Sequence, residues 1–137
     1  MKIYVGATFS RYLEARSVID ALVAAGHDVT HDWTRTAAFG ADGHPLPDSG
    51  DGYELPAEEQ AAHALDDLAA VKGADLLLIL AEQASCGWPV EVGAALAWGK
   101  AEVWLVAPFR PTVFWCLPQV SVFESVAQPL RELGATP

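Results

Sequence analysis

Three stretches of the chain consist almost entirely of apolar residues, at 2–7, 74–81 and 101–107. A short apolar run without alternation is typical of a strand that is buried on both faces of a parallel sheet. Two weaker strands are predicted over 27–33 and 112–116. The pattern therefore indicates up to five strands.

Between these runs, apolar positions recur at helical spacing and predict helices over 11–25, 57–72 and 89–99. Gly26 ends the first helix, and Pro56 is a favourable residue where the second begins. The segment 120–133 is predicted to close the chain as a further helix. Residues 34–54 have no period and many Gly, Pro and Asp residues, which is typical of a functional or disordered loop.

This alternation of strands and helices predicts one α/β domain over 1–137, with three layers and a mostly parallel five-stranded sheet of flavodoxin-like or Rossmann-like type. Ligands in such sheets bind beyond the carboxyl ends of the strands. The rule indicates three places, which are the turn at 6–10, the end of the second strand at 32–33 and the loop at 81–91.

The charge of the chain limits its partners. Eighteen acidic residues against eight basic ones give a net charge of −10, which opposes binding to nucleic acids and to anionic membranes. No apolar run approaches the roughly 18 residues that cross a bilayer, and polar residues follow the amino terminus too early for a signal peptide. We expect a cytoplasmic protein without a metal site, since Cys86 and Cys116 have no zinc-type spacing.

Two carboxylates are candidates for chemistry. Glu91 lies near the start of the predicted third helix, where it either faces the ligand crevice or only offsets the helix dipole. Asp67 lies at the edge of the apolar face of the second helix, and Asp66 lies nearly opposite that face. The predicted face consists of Ala61, Ala64, Leu65, Leu68 and Val71.

Two carboxylates that approach one crevice from different helices suit the cleavage of a glycosidic bond. One attacks the anomeric carbon, and the other protonates the leaving group. A nucleobase requires that proton, because it otherwise departs as a poorly stabilised anion.

The segment SCGWPVEVGAALAWGK at 85–100 resembles the S-x-G-x-x-x-E-x-G-x-A-x-x-x-G-K element of the nucleoside 2-deoxyribosyltransferase-like family. DLAAVKGAD at 67–75 is similar to that family's acid–base helix, KIYVGATFSR at 2–11 to its opening strand and turn, and GHDVTHDW at 26–33 to its second strand. The resemblance covers most of 2–107. The 24 residues from Asp67 to Glu91 also match the branch that hydrolyses nucleotides.

The resemblance implies a double displacement in which Glu91 is the nucleophile and Asp67 the acid and base, without a metal or organic cofactor. Tyr4 matches a tyrosine that positions the nucleophile, although it could also be a core aromatic. Ser85 stands where the transferase branch has an aspartate and the monophosphate-hydrolysing branch has a serine. A hydroxyl there can donate to phosphate, so it predicts a preference for a 5′-monophosphate.

The remaining candidates for substrate binding surround these residues. Arg11 could join Ser85 and backbone amides in an anion pocket, or be an ordinary exposed residue. Trp33 could stack on a base or pack in the core. The matched motifs also contain three small residues, which are Gly6, Thr8 and Gly87.

The chain departs from the family at two places. The turn GATFSR is one residue adrift of the usual pattern, and VFWCLPQV at 113–120 lacks an obvious polar residue near position 115, which the family takes from a neighbouring subunit. An apolar carboxyl-terminal segment predicts a homodimer or larger homo-oligomer. It contains Phe114, Trp115, Leu117, Val120 and Phe123.

The expected function is cleavage of the N-glycosidic bond of a small nucleoside or nucleoside 5′-monophosphate, by hydrolysis or by transfer to another nucleobase. The alternatives are a transferase that acts on free nucleosides and a nucleotide-binding module without catalysis. A flavodoxin-like FMN carrier fits the fold alone.

Overall fold

The computed structural model describes residues 1–35, 56–83, 85–99, 101–109 and 112–136. These ranges contain five strands and four α-helices. The strands are β1 Lys2–Ala7, β2 Asp28–Val29, β3 Leu76–Leu80, β4 Glu102–Val106 and β5 Val120–Phe123. The helices are α1 Tyr12–Ala24, α2 Ala57–Gly73, α3 Gly87–Trp98 and α4 Ala127–Glu132.

The five strands form one sheet in the order β2-β1-β3-β4-β5, and all neighbouring pairs are parallel. This is the strand order of flavodoxin-like folds, so the predicted three-layer α/β class is confirmed. In this order the chain reverses direction across the sheet between β1 and β3, where such folds bind ligands. Ala7 pairs with Leu80, so the carboxyl ends of β1 and β3 lie level at this point.

Each face of the sheet has its own apolar layer. Ile3 and Val5 of β1 face α1 and α4, whereas Tyr4 between them faces α2 and α3. Alternate residues of a strand point to opposite faces, so a single strand contributes to both layers. The layer under α1 and α4 includes Ala15, Val18, Ile19, Leu22, Leu78 and Leu130. The layer under α2 and α3 includes Val71, Leu77, Ile79, Trp88, Val92, Val103 and Leu105.

The second strand is shorter than predicted. Only Asp28–Val29 pair with β1, although the prediction covered 27–33. Beyond the strand, the Thr30 amide donates to the Ile3 carbonyl at 2.9 Å, and the Trp33 indole donates to the Val5 carbonyl at 2.8 Å. The indole thus occupies an acceptor on β1 that a longer β2 would have used.

The predictions for the carboxyl-terminal region were wrong in their boundaries. The predicted strand 112–116 is a turn of 3₁₀ helix at Val113–Cys116, which buries Trp115 against Trp88 and Phe109. The strand β5 lies instead at the start of the segment that was predicted as the closing helix. Its alternating V-S-V-F sequence favours extended backbone, and it covers the edge of β4.

The predicted apolar face of α2 was right at Leu68 and Val71, which are partly buried and buried, and wrong in its first half. Leu65 is 67% exposed, and Ala61 and Ala64 are exposed as well. The inward stripe of α2 contains Gln60, His63, Asp67, Ala70 and Val71. Burial on a helix follows the neighbouring elements, and the helix turns a partly polar stripe towards β1 and α3.

The predicted loop at 34–54 lies outside the described residues, apart from Thr34 and Arg35. No helix in the described ranges combines the length and apolar character that spanning a membrane requires.

Candidate active site

Glu91 lies on the buried side of α3. The helix begins at Gly87, two residues earlier than predicted, so Glu91 is in its second turn and away from the strongest part of the helix dipole. Trp88, Val92 and Ala95 are the buried residues of this helix, and Glu91 shares their face at i+3 and i+4 spacing. Glu91 therefore lies on the buried face of α3. A carboxylate that only offsets the helix dipole would instead be a solvated side chain.

Asp67 reaches the same region from α2. It lies on the inward stripe of the helix, one turn before Ala70 and Val71, and it is partly buried. Asp66 is exposed, as predicted. The inward face of α2 is rotated relative to the predicted one. Asp67 therefore lies near the centre of the inward face, whereas the helical pattern placed it at the edge.

Tyr4 connects the two carboxylates from the sheet. Its side chain is 1% exposed, and its hydroxyl donates to Glu91 Oε1 at 2.9 Å. Burial raises the pKa of Tyr4, and the charges of Glu91 and Asp67 raise it further. The hydroxyl therefore stays protonated and acts as a donor.

Burial also changes the acidity of both carboxyl groups. It raises the pKa of Glu91 from 4.5 to about 7, with the hydrogen bond from Tyr4 opposing the rise and the charge of Asp67 adding to it. Burial likewise raises the pKa of Asp67, opposed chiefly by the nearby His31 and also by Tyr4 and His63. Burial of both carboxyl groups thus favours their protonated forms relative to a carboxyl group in water.

Each carboxylate also has a buried oxygen without a hydrogen-bond partner in the part of the chain that the structure describes. These atoms are Glu91 Oε2 and Asp67 Oδ1. A buried charged oxygen without a donor costs free energy, and such atoms are uncommon outside functional sites.

Gly6 makes room for this arrangement. A Cβ atom at this position would lie 2.5 Å from Glu91 Oε2, 2.6 Å from Ile79 Cδ1 and 3.3 Å from Tyr4 Cε1. All three of these atoms belong to the side chains that surround position 6. A residue with a Cβ atom would clash there, because the Glu91 carboxylate occupies the space that its side chain would need.

His31 is a neighbour of Asp67 that the sequence analysis left without a role. Its Nε2 lies 3.7 Å from Asp67 Oδ1, the oxygen without a hydrogen-bond partner. His31 follows β2 at the carboxyl edge of the sheet. The rule that ligands bind beyond the carboxyl ends of strands indicated 32–33. A range that began one residue earlier would have included His31.

A second polar cluster, which we call the β1-turn cluster, consists of Thr8, Ser10, Arg11 and Glu82. The Thr8 and Ser10 hydroxyls donate to Glu82 Oε2 at 2.5 and 2.8 Å. Arg11 donates to the Ala81 carbonyl at 3.1 Å. Glu82 was not singled out in the sequence, although it directly follows the buried run at 74–81.

The other sequence candidates have different surroundings. Trp33 packs with Phe9 and Tyr12 and against the layer under α1, and it stays partly exposed. Ser85 is partly buried just before α3, and Gly87 is the exposed first residue of that helix.

Comparison of the sequence with protein-family models and with curated proteins gave no match. The fold and the site nevertheless define a class. The chain is a three-layer α/β protein of flavodoxin-like topology with a buried carboxylate pair at the carboxyl ends of its central strands. The chemistry of these two carboxylates indicates which reactions such a site can carry out.

Proposed function

We propose that this chain cleaves the N-glycosidic bond of a nucleoside or nucleoside 5′-monophosphate. Glu91 is the nucleophile, Asp67 the general acid and base, and Tyr4 the residue that positions Glu91. The observation that carries the proposal is the position of Tyr4 between α2 and α3: its buried hydroxyl donates to Glu91, and the charges of both Glu91 and Asp67 raise its pKa. The sequence resemblance at 85–100 and 67–75 supports the same roles.

The unpartnered oxygens support a reactive site over a structural one. Glu91 Oε2 and Asp67 Oδ1 are buried, and in the described ranges nothing donates to them. A structural carboxylate would be stabilised by donors, as Glu82 is by Thr8 and Ser10. A substrate supplies what is missing, because its anomeric carbon would face one oxygen and its base nitrogen the other.

In the first step, a carboxylate oxygen of Glu91 forms a bond to C1′ of the sugar, and the C1′–N bond breaks. The electron pair of that bond goes to the base nitrogen, and the proton of Asp67 neutralises the departing base. The products are a free base, a glycosyl ester on Glu91 and an ionised Asp67. Burial raises the pKa of Asp67, which favours the protonated form that the general acid needs.

In the second step, an acceptor attacks C1′ and the ester bond to Glu91 breaks. Asp67 takes the proton of the acceptor, which returns both carboxyl groups to their starting state. Water as acceptor gives hydrolysis, and a second nucleobase gives transfer. Transfer among free nucleosides is the second candidate function, since the mechanism is shared up to this step.

Tyr4 keeps the nucleophile aligned. Its hydroxyl donates to Oε1 and leaves Oε2, the buried oxygen beside Gly6, for the attack. The same bond lowers the pKa of Glu91 against the effect of burial, so a larger fraction is ionised at neutral pH.

Trapping the glycosyl-enzyme with a 2′-fluoro nucleoside tests the proposal. The fluorine slows both steps but the second more, so a covalent sugar accumulates on an active enzyme. We expect mass spectrometry of the intact protein and its peptides to find the adduct on Glu91. Glu91→Gln should remain unlabelled, whereas Asp66→Asn should label like the wild type.

A non-catalytic nucleotide-binding module is the alternative from another class. It would bind the same compound without forming an adduct, and calorimetry on the same samples would detect this. Incubation of the wild type with a panel of nucleosides and monophosphates, with and without free bases, then separates hydrolysis from transfer by the products formed.

We further propose that the active form is a homodimer or larger. Several apolar side chains remain exposed in the single chain, including Leu65 on α2 at 67% and Phe114 at 63%. Trp115 is buried within its own chain, so the predicted interface segment is only partly available. Light scattering at assay concentration checks the proposal, and a fully active monomer would contradict it.

A further inference from the structure

We infer that the site takes a sugar whose 5′ end is an uncharged hydroxyl, and that Glu82 is the residue that excludes a 5′-phosphate. The inference deepens the proposed function, on which it rests. It runs against the preference for a monophosphate that Ser85 alone predicts, because the structure adds a carboxylate that the sequence motif does not contain.

Glu82 lies close to the proposed nucleophile. It follows β3 by two residues, and its carbonyl oxygen accepts a hydrogen bond at 3.0 Å from the indole of Trp88, one turn before Glu91 on α3. Thr8 follows Gly6 by two residues, and Gly6 contacts Glu91. The β1-turn cluster therefore adjoins Glu91 through both of its segments. We place the 5′ end of a sugar whose C1′ lies at Glu91 beside this cluster.

The carboxylate of Glu82 is held in this position. Thr8 and Ser10 both donate to the same oxygen, Oε2, and their hydroxyl oxygens lie 3.0 Å apart. These hydrogen bonds lower the pKa of Glu82, so the group is ionised at neutral pH. The two hydroxyls that could have donated to a phosphate thus already serve a carboxylate, and Oε1 takes no part in their bonds.

The charge of Arg11 reaches Glu82 and lowers the pKa of its carboxyl group, but the guanidinium is paired with another carboxylate. Its Nε and Nη2 donate to the carboxylate of Glu14 at 2.8 and 2.9 Å, and its Nη1 donates to the Ala81 carbonyl. All three guanidinium nitrogens are therefore engaged within the chain. A phosphate here would meet the charge of Glu82 in addition to those of Glu91 and Asp67, whereas a hydroxyl can donate a hydrogen bond to a carboxylate.

The test compares each deoxynucleoside with its own 5′-monophosphate, using the four common bases. For the base that is cleaved, we expect kcat/KM of the wild type to favour the nucleoside by about tenfold or more, because like charges at contact distance repel even in a water-like medium. Glu82→Gln keeps an acceptor for Thr8 and Ser10 and removes the charge. It should lower the preference by about tenfold, mainly by improving the monophosphate.

Glu102→Gln is the matched control, since Glu102 is an exposed carboxylate at the amino end of β4. It changes the net charge equally and should leave the preference unchanged. A wild type that favours the monophosphate, or a preference that Glu82→Gln does not alter, would overturn the inference. In either case the chain would still cleave the N-glycosidic bond of one of the two compounds, so the proposed function would stand.

If no compound is cleaved, the proposed function fails and binding decides the inference. Calorimetry with the same pairs should then show tighter binding of the nucleoside, with the difference lost in Glu82→Gln and retained in Glu102→Gln. Equal or tighter binding of the monophosphate to the wild type, or binding of neither compound, would refute it.

Discussion

The helices that cover the two faces of the sheet differ in the side chains that they turn inward. The inward side of α1 is apolar along its length, with Ala15, Val18, Ile19 and Leu22 packed on β1 and β3. The inward side of α2 presents His63 and Asp67 before its apolar residues begin, and α3 adds Glu91 to the same space. Both faces bury apolar side chains, but among the described residues only the second carries carboxyl groups whose pKa burial raises.

This difference separates stability from chemistry. Apolar burial under α1 stabilises the fold, whereas a carboxylate that burial makes less acidic destabilises it at neutral pH. Groups of this kind, with a pKa shifted by burial, are common at functional sites. Four substitutions can test the comparison, from the largest expected effect to the smallest.

Glu91→Gln should reduce turnover by about 10⁴-fold or more, because the variant lacks the nucleophile. It should also stabilise the protein at pH 8. The pKa of Glu91 is raised in the folded protein, from 4.5 to about 7, so ionisation is less favourable there than in the unfolded chain. The resulting destabilisation is absent below pH 4.5, grows as the pH rises and is complete above about pH 7.

Urea unfolding at pH 4 and pH 8 measures this effect. At pH 8 we expect the variant to gain about 1–3 kcal/mol in the free energy of unfolding, and at pH 4 almost nothing. Leu22→Ala, on the opposite face, should lose about 2–5 kcal/mol at both pH values. Equal stability of Glu91→Gln and wild type at pH 8 would show that the carboxylate is not strained by burial.

Asp67→Asn should slow base release by about 10²–10⁴-fold, the usual loss on removing a general acid. Asp66→Asn is the control, because its side chain is exposed one residue away. Rapid-quench measurement of released base compares the two. Similar rates in both variants would place the acid elsewhere.

Gly6→Ala should lower kcat/KM by about 10²-fold, because a Cβ atom 2.5 Å from Glu91 Oε2 must displace the nucleophile. Gly93→Ala, on α3, meets nothing within 4 Å and should raise helix stability by about 0.5–1 kcal/mol with activity unchanged. Steady-state kinetics and thermal unfolding on both variants check the contrast. Unaltered activity in Gly6→Ala would contradict the tight contact.

Tyr4→Phe should have the smallest effect, about tenfold in kcat near neutral pH, and a specific signature. The hydrogen bond from Tyr4 lowers the pKa of Glu91, so its removal raises that pKa. In the wild type, kcat/KM should rise with pH as Glu91 ionises around pH 7, and the variant should need a higher pH for the same rise. An unshifted acidic limb would mean that Tyr4 only fills space.

The fold class followed directly from the sequence pattern. Continuous apolar runs such as 74–81 identified the central parallel strands, since only a strand buried on both faces is apolar throughout. The short edge elements did not follow. The segments 112–116 and 120–123 are both apolar and β-branched, and only the free edge of β4 and the pocket around Trp115 decide which one becomes the strand.

The candidate site was predictable where a side chain is fixed by its own element. The placement of Glu91 after a buried strand needed only the rule about carboxyl ends. The exposure of Asp66 was predicted correctly from helical periodicity, whereas the central position of Asp67 depends on the packing that sets the inward face of α2. His31 and Glu82 were missed because their partners, Asp67 and Thr8, lie 36 and 74 residues away in the chain. No local pattern encodes such contacts.

By itself the sequence determined the layers of this protein, because continuous apolar runs and helical periodicity are local. The choice of Glu91 and Asp67 rested also on the resemblance of 85–100 and 67–75 to a known family, and their roles stay predictions. The tertiary structure alone decided which face of α2 turns inward, that Trp33 packs against the layer under α1, and that the Glu82 carboxylate accepts hydrogen bonds from the turn after β1. These features depend on the free energy of burying particular neighbours together. That free energy is set when distant segments pack, so it cannot be read from any one of them.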